Sequence, residues 1–202
     1  MQEIFNAPAT APDLRVAKLL FVVSGSVQAA SAPAWLLWLR STYKNIQVRV
    51  VVTRTALRFV TMEALSAVGQ CDVQIDAWSD DSGHALHVEL ATWAEAIIVH
   101  PATMDFIARY AVGLGNSPAL LAMQCTDASI VVCPAVPPGA EHNPALRRNI
   151  SELSARENVV VMPCLPGVSL SSNTPGIGAV AMLPYAVKAL EELRFSRQEA
   201  DE

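Results

Sequence analysis

The chain has 202 residues, 14 Lys and Arg against 19 Asp and Glu, and a net charge of −5. With 52% hydrophobic and 16% charged residues it is too apolar for a disordered or nucleic-acid-coating protein, and it has no basic stripe to neutralise phosphates, so nucleic acid is excluded as a partner. The first 17 residues lack a basic start and an apolar core, and the longest apolar runs are only strand-length, so neither a signal peptide nor a membrane span is expected and the reading is cytoplasmic.

Taken in order, KLLFVV (18–23), QVRVVVT (47–53), EAIIV (95–99), SIVVC (129–133) and NVVVM (158–162) read as strands. Several lack polar alternation, as expected of parallel strands covered on both faces. Helical periodicity falls at about 27–42, 86–93, 103–114, 116–124, 144–156 and 178–194. In the 103–114 segment it places Met104, Ile107, Ala108 and Ala111 on one face. Alternating units of this kind predict an α/β fold, a three-layer, doubly wound parallel sheet of Rossmann-like type. The expected organisation is a mobile segment over 1–17, one domain over 18–194 and a polar tail, FSRQEADE, over 195–202. Cys71, Cys125, Cys133 and Cys164 form no C-x-x-C pair and are expected to be buried thiols rather than disulfides or a metal site.

In such sheets ligands bind beyond the carboxyl ends of the strands. At the first exit, Gly25 permits close backbone approach between the hydroxyls of Ser24 and Ser26, a small phosphate cradle without the Lys of a P-loop. A Ser-Gly-Ser turn that merely caps a helix explains it equally well. At the second, Thr53 and Thr55 stand beside Arg58 and Phe59, a hydroxyl pair with a ring able to stack on a flat cofactor. A capped helix start with a core Phe is the plainer alternative.

The ordered motifs GSxxA, TxxAxxF, H-x-x-L-x-x-W, PAT and P-A…NP…RRN resemble the homo-oligomeric flavin-containing cysteine decarboxylases, in their peptidyl-cysteine (lantibiotic-type) branch. The likeness runs from about Lys18 to Pro163. It implies a Rossmann-like flavoprotein that binds a flavin nucleotide, FMN or FAD, and works as a homo-oligomer, a trimer or dodecamer of trimers, with its site between subunits. The implied reaction is oxidative decarboxylation of the carboxyl-terminal cysteine of a ribosomal precursor peptide to an aminoenethiol, feeding aminovinyl-cysteine formation. The alternatives are a phosphopantothenoylcysteine decarboxylase and a non-catalytic regulatory relative.

Carried onto this chain, the family's histidine falls on His87, with His84 one turn earlier as a rival. A histidine titrates near neutral pH and can take a thiol proton. Pro101, Ala102, Thr103 and Met104 are implied to lie against the flavin, and Asp105 fills the motif's Asn or Asp position as a second catalytic candidate. Asp105 also stands in a first helical turn, where a carboxylate suits the dipole whatever the function. Pro134, Val136 and Asn143 are implied to bind substrate, but Pro137 replaces the Asn of the family's substrate clamp. A different donor must then meet the substrate carboxylate; Arg147 and Arg148 are chemical candidates, or simply solvated charges. The late loop GVSLSSNTPGIG (167–178) lacks the cysteine of the pantothenate-pathway members, which favours an enzyme that stops at the oxidised enethiol.

Overall fold

The computed structural model describes residues 11–78, 85–168 and 173–201. Its main sheet contains β1 (Lys18–Val23), β2 (Gln47–Val52), β3 (Asp72–Ile75), β4 (Ala96–Ala102), β5 (Ser129–Pro134) and β6 (Val159–Val161). All pair in parallel, in the order β3-β2-β1-β4-β5-β6. Chain order reverses between β1 and β4, which puts the topological switch point at their carboxyl ends.

Seven α-helices flank the sheet among the described residues: α1 (Ala32–Thr42), α2 (Met62–Gly69), α3 (Leu86–Trp93), α4 (Met104–Ala111), α5 (Pro118–Cys125), α6 (Pro144–Ser154) and α7 (Leu183–Asp201). Alternate residues of β1 serve opposite faces, as strand geometry requires. Leu19, Phe21 and Val23 pack with Leu36 and Leu39 of α1, with Leu65 of α2 and with Leu183, Val187 and Leu190 of α7. Leu20 and Val22 pack instead with Leu90 of α3, Phe106 and Ile107 of α4, Leu120 of α5 and Leu146 of α6. The result is the expected three layers. Every residue of β4 and β5 is buried, which explains their largely apolar character, with His100 and Ser129 the polar exceptions.

Several boundaries differ from those read in the sequence. β3 is an edge strand with no fully buried residue, and the hairpin of β7 (Leu165–Val168) and β8 (Pro175–Ala179) is rich in Gly and Pro; neither gives a clear strand signal. The helix expected from 178 begins at Leu183, because 175–179 is β8. It continues through the polar tail to Asp201, where Arg197 donates to the Asp127 carbonyl at 2.7 Å. From residue 11 the leading segment is also tied down: the Tyr43 hydroxyl donates to the Pro12 carbonyl at 2.7 Å and the Ala17 N–H to Glu95 at 2.7 Å. The buried face of α4 is Phe106, Ile107, Tyr110 and Ala111, rotated from the one expected, since both aromatic rings turn inward. Of the four cysteines expected to be buried thiols, all are free but only Cys133 is buried, and Cys125 is exposed.

His100, in β4, is fully buried between Phe21 and Trp35. Its Nε2 lies 2.8 Å from the Ala181 carbonyl, and Nδ1 has no partner among the described residues. Burial pushes its pKa down to about 4, against the opposing pull of that carbonyl. Between the ordinary value of 6.5 and about 4 the unfolded chain therefore binds a proton that the folded chain does not. This contribution to stability is complete above the ordinary value and is lost as pH falls towards 4. Denaturant titrations at pH 7 and 5 should show roughly 2 kcal/mol of acid sensitivity that His100→Gln lacks; equal sensitivity in both proteins would refute it.

Candidate active site

The exits of β1 and β4 are locked together by Ser24, which is 1% exposed. Its N–H and Oγ both donate to the Pro101 carbonyl, at 3.1 and 2.7 Å, and Oγ accepts the Thr103 N–H at 2.9 Å. Pro101 follows a cis peptide bond from His100. The hydroxyl proton of Ser24 is thus committed to the protein, and this residue acts by holding two strand ends in register. Thr103 caps α4 by accepting the Phe106 N–H at 3.3 Å, which directs the chain from the buried Pro101–Ala102 step into the helix. Met104 is half-buried, while Asp105 is exposed and ion-paired with Arg109 at 2.7 Å.

The exits of β1 and β2 also meet. Thr53 donates its N–H to the Val23 carbonyl, its Oγ1 lies 3.2 Å from that of Thr55, and it accepts the Ala56 N–H at 3.3 Å. A Cβ on Gly25 would stand 2.3 Å from Thr55 Oγ1, so only glycine permits this approach. Ser26 accepts the Gln28 N–H at 3.3 Å, and Gln28 in turn accepts the Val180 N–H at 2.7 Å. Arg58 and Phe59 close the short 3-10 turn after β2, both exposed, with Phe59 at 39%. The structure therefore brings together Ser24 to Ser26, Thr53 to Thr55 and Pro101 to Thr103.

Pro134 pairs beside Ala102, and the Ala135 N–H donates to the Ala102 carbonyl, so the β5 exit adjoins this cradle. Val136 is buried and donates its N–H to the Gly178 carbonyl at 3.0 Å; a Cβ on Gly178 would come within 2.2 Å of Val136 O. The β7–β8 hairpin thus fastens the segment in which Pro137 replaces the clamp Asn. Asn143 is exposed and its Oδ1 caps α6, accepting the N–H groups of Ala145 and Leu146. Its oxygen is committed to that helix, whatever else the amide does. Arg147 is engaged as well, donating to the Glu141 carbonyl at 2.8 Å, while Arg148 is exposed. Burial, aided by Glu141, pushes the Cys164 thiol up to about 11, so it stays protonated near neutral pH.

His87 stands in the first turn of α3, half-buried, with Nδ1 sealed from solvent and unpartnered among the described residues. Its ring meets that of Trp78 at 5.4 Å, with an interplanar angle of 73°. Trp78 is not legible as a site residue in the sequence; it follows β3, the strand with the weakest signal. His84 lies outside the described residues.

Hydroxyls and backbone at three adjoining strand exits, a glycine that lets two of them approach closely and an exposed ring beside them suit a phosphate-bearing cofactor with a flat ring system. The donor set fits a flavin nucleotide.

The Flavoprotein family model matches residues 9–193. A cypemycin cysteine dehydrogenase (decarboxylating) from a Streptomyces species is 34% identical over 180 residues, 88% of this chain and 92% of that one. The coenzyme A biosynthesis bifunctional protein CoaBC of Vibrio vulnificus is 36% identical over 141 residues, 69% of this chain but 34% of its own length. Among solved structures, the cypemycin decarboxylase CypD superposes with a TM-score of 0.76 at 30% identity, covering 93% of this chain and 98% of that one. With the resemblance read from its motifs thus borne out, the chain belongs to the Flavoprotein family and is a flavoprotein of the cysteine-decarboxylase kind.

Proposed function

We propose that the chain oxidatively decarboxylates the carboxyl-terminal cysteine of a ribosomal precursor peptide, giving an aminoenethiol that feeds aminovinyl-cysteine formation. The observation that carries this reading is His87, kept in the H-x-x-L-x-x-W register, in a chain whose cypemycin-modifying relative matches it almost end to end. The late segment 167–178 holds no cysteine, which favours a peptide product left oxidised over the pantothenate-pathway reaction.

Losing CO2 directly from the cysteine α-carbon would leave an unstabilised carbanion. When bound, the flavin supplies a two-electron acceptor, so the β-carbon can be oxidised to the thioaldehyde level first. The C=S group then receives the electron pair of the breaking carbon–carboxylate bond. His87 takes the thiol proton at a ring nitrogen. Thr103, fixed by Ser24, presents the β4 exit to the flavin's ring, and Pro101, Ala102 and Met104 pack about it. Ser26, Thr53, Thr55 and Arg58 hold the phosphate-bearing end, and Phe59 offers a stacking face. Asp105, held by Arg109, borders the reacting centre; Pro134 and Val136 wall the peptide's side, with Asn143 at its rim.

Incubating the flavin-loaded protein with peptides ending in cysteine should give a loss of about 46 mass units, one CO2 and two hydrogens. Unchanged peptides across several carboxyl-terminal sequences, in air, would overturn the reading. The mass of the cofactor released on denaturation assigns FMN or FAD. The exposed Val88, Val112 and Leu114 support a homo-oligomer, a trimer as in the family, which light scattering checks; a monomer at assay concentration would oppose it.

A further inference from the structure

His87 on α3 and Asp105 on α4 are joined by three residues outside the family motifs. Arg109 donates from Nη2 to Asp105 Oδ2 at 2.7 Å and from Nη1 to Asn116 Oδ1 at 3.4 Å. The Asn116 carbonyl accepts the indole N–H of Trp78 at 3.1 Å, and the indole meets the His87 ring. The segment bearing Trp78 is itself fastened. Asp76, two residues earlier and buried, accepts the Ser117 hydroxyl at 2.7 Å and the Ala119 N–H at 2.9 Å at the start of α5. Its own N–H donates to the Val52 carbonyl at the end of β2.

A histidine that moves a proton needs a fixed ring orientation, and a hydrogen bond at its second nitrogen usually supplies one. Nδ1 of His87 is buried without such a partner among the described residues. The indole is the ring packed against this imidazole, and it is held at its far end by Asn116. We propose that Trp78 is a positioning residue: anchored on the Asn116 carbonyl, it sets the orientation of the His87 ring. The role in turnover rests on the decarboxylase reading; the contact itself does not.

The test compares flavin-loaded wild type, Trp78→Leu and Trp78→Phe with a peptide ending in cysteine, reading kcat, KM, the flavin spectrum and the His87 ring resonances by NMR. Trp78→Leu should lower kcat by about 3- to 10-fold, the range an aromatic pair contact supports. KM and the flavin spectrum should hold, while the His87 ring protons leave their wild-type positions. Trp78→Phe, which keeps a ring there, should recover most of kcat. Wild-type kcat in Trp78→Leu overturns the proposal, as does equal loss in both variants with the His87 resonances unmoved. Should Trp78→Leu fail to fold, cross-relaxation between the indole and His87 ring protons in the wild type decides, and its absence overturns the proposal. A wild type that modifies no peptide sinks the decarboxylase reading alone; the resonances still decide whether Trp78 orients the ring.

Discussion

His87→Asn should lower peptide turnover by about 10²- to 10⁴-fold, the range for loss of a general base, while the protein keeps its flavin colour. Asn occupies similar space and forms hydrogen bonds, but it cannot take up a proton near neutral pH. The residues assigned to the flavin stand on the exits of β1, β2 and β4, and among the described residues none of their hydrogen bonds passes through His87. Base and cofactor site should therefore separate cleanly. Single-turnover assays with absorbance spectra of the same samples check both halves. If His87→Asn turns over normally while His84→Asn does not, the base is His84. If both variants bleach, the residue supports the cradle instead.

The strands most legible in the sequence are those buried almost throughout, although β2 and β6, only partly buried, are read there as well. β1, β4 and β5 are apolar almost throughout because helices cover each side, and that leaves little room for another interpretation. β3 is hidden in the sequence because Asp72 and Gln74 interrupt a four-residue edge strand. One strand exit stays hidden with it, and Asp76 and Trp78 lie on that exit. The exits of β1, β2 and β4 carry the hydroxyls and glycine of the cradle, chemistry visible in residue type alone. What brings Trp78 to His87 is tertiary: a carbonyl in the turn before α5 and a carboxylate cap on that helix. Neither leaves a spacing pattern. The same holds for the clamp region, where Pro137 announces a departure but only the fold shows the β7–β8 hairpin fastening Val136.

Gly25→Ala should cost both flavin affinity and stability, because the added methyl would lie 2.3 Å from Thr55 Oγ1, 2.5 Å from Thr55 Cβ and 3.0 Å from the Thr55 backbone. A rotamer change cannot relieve a contact with Cβ, so the β1 and β2 exits must move apart. Overpacking of this kind costs about 1–3 kcal/mol. The larger effect falls on binding, since Ser26 and Thr55 stand on the two segments being separated and their hydroxyls are assigned to one phosphate-bearing end. Fluorescence quenching on titrating free flavin into apoprotein should give at least a roughly tenfold weaker Kd, with a lower Tm in the apoprotein as well. Removing the obstructing side chain separates the two effects. In Gly25→Ala combined with Thr55→Gly the clash is reduced to the backbone contact, so much of the lost Tm should return. Flavin affinity should stay low, because the Thr55 hydroxyl is gone. Full recovery of both would remove Thr55 from the cofactor site, and no recovery of Tm would mean that the close approach of these two exits is not what requires glycine.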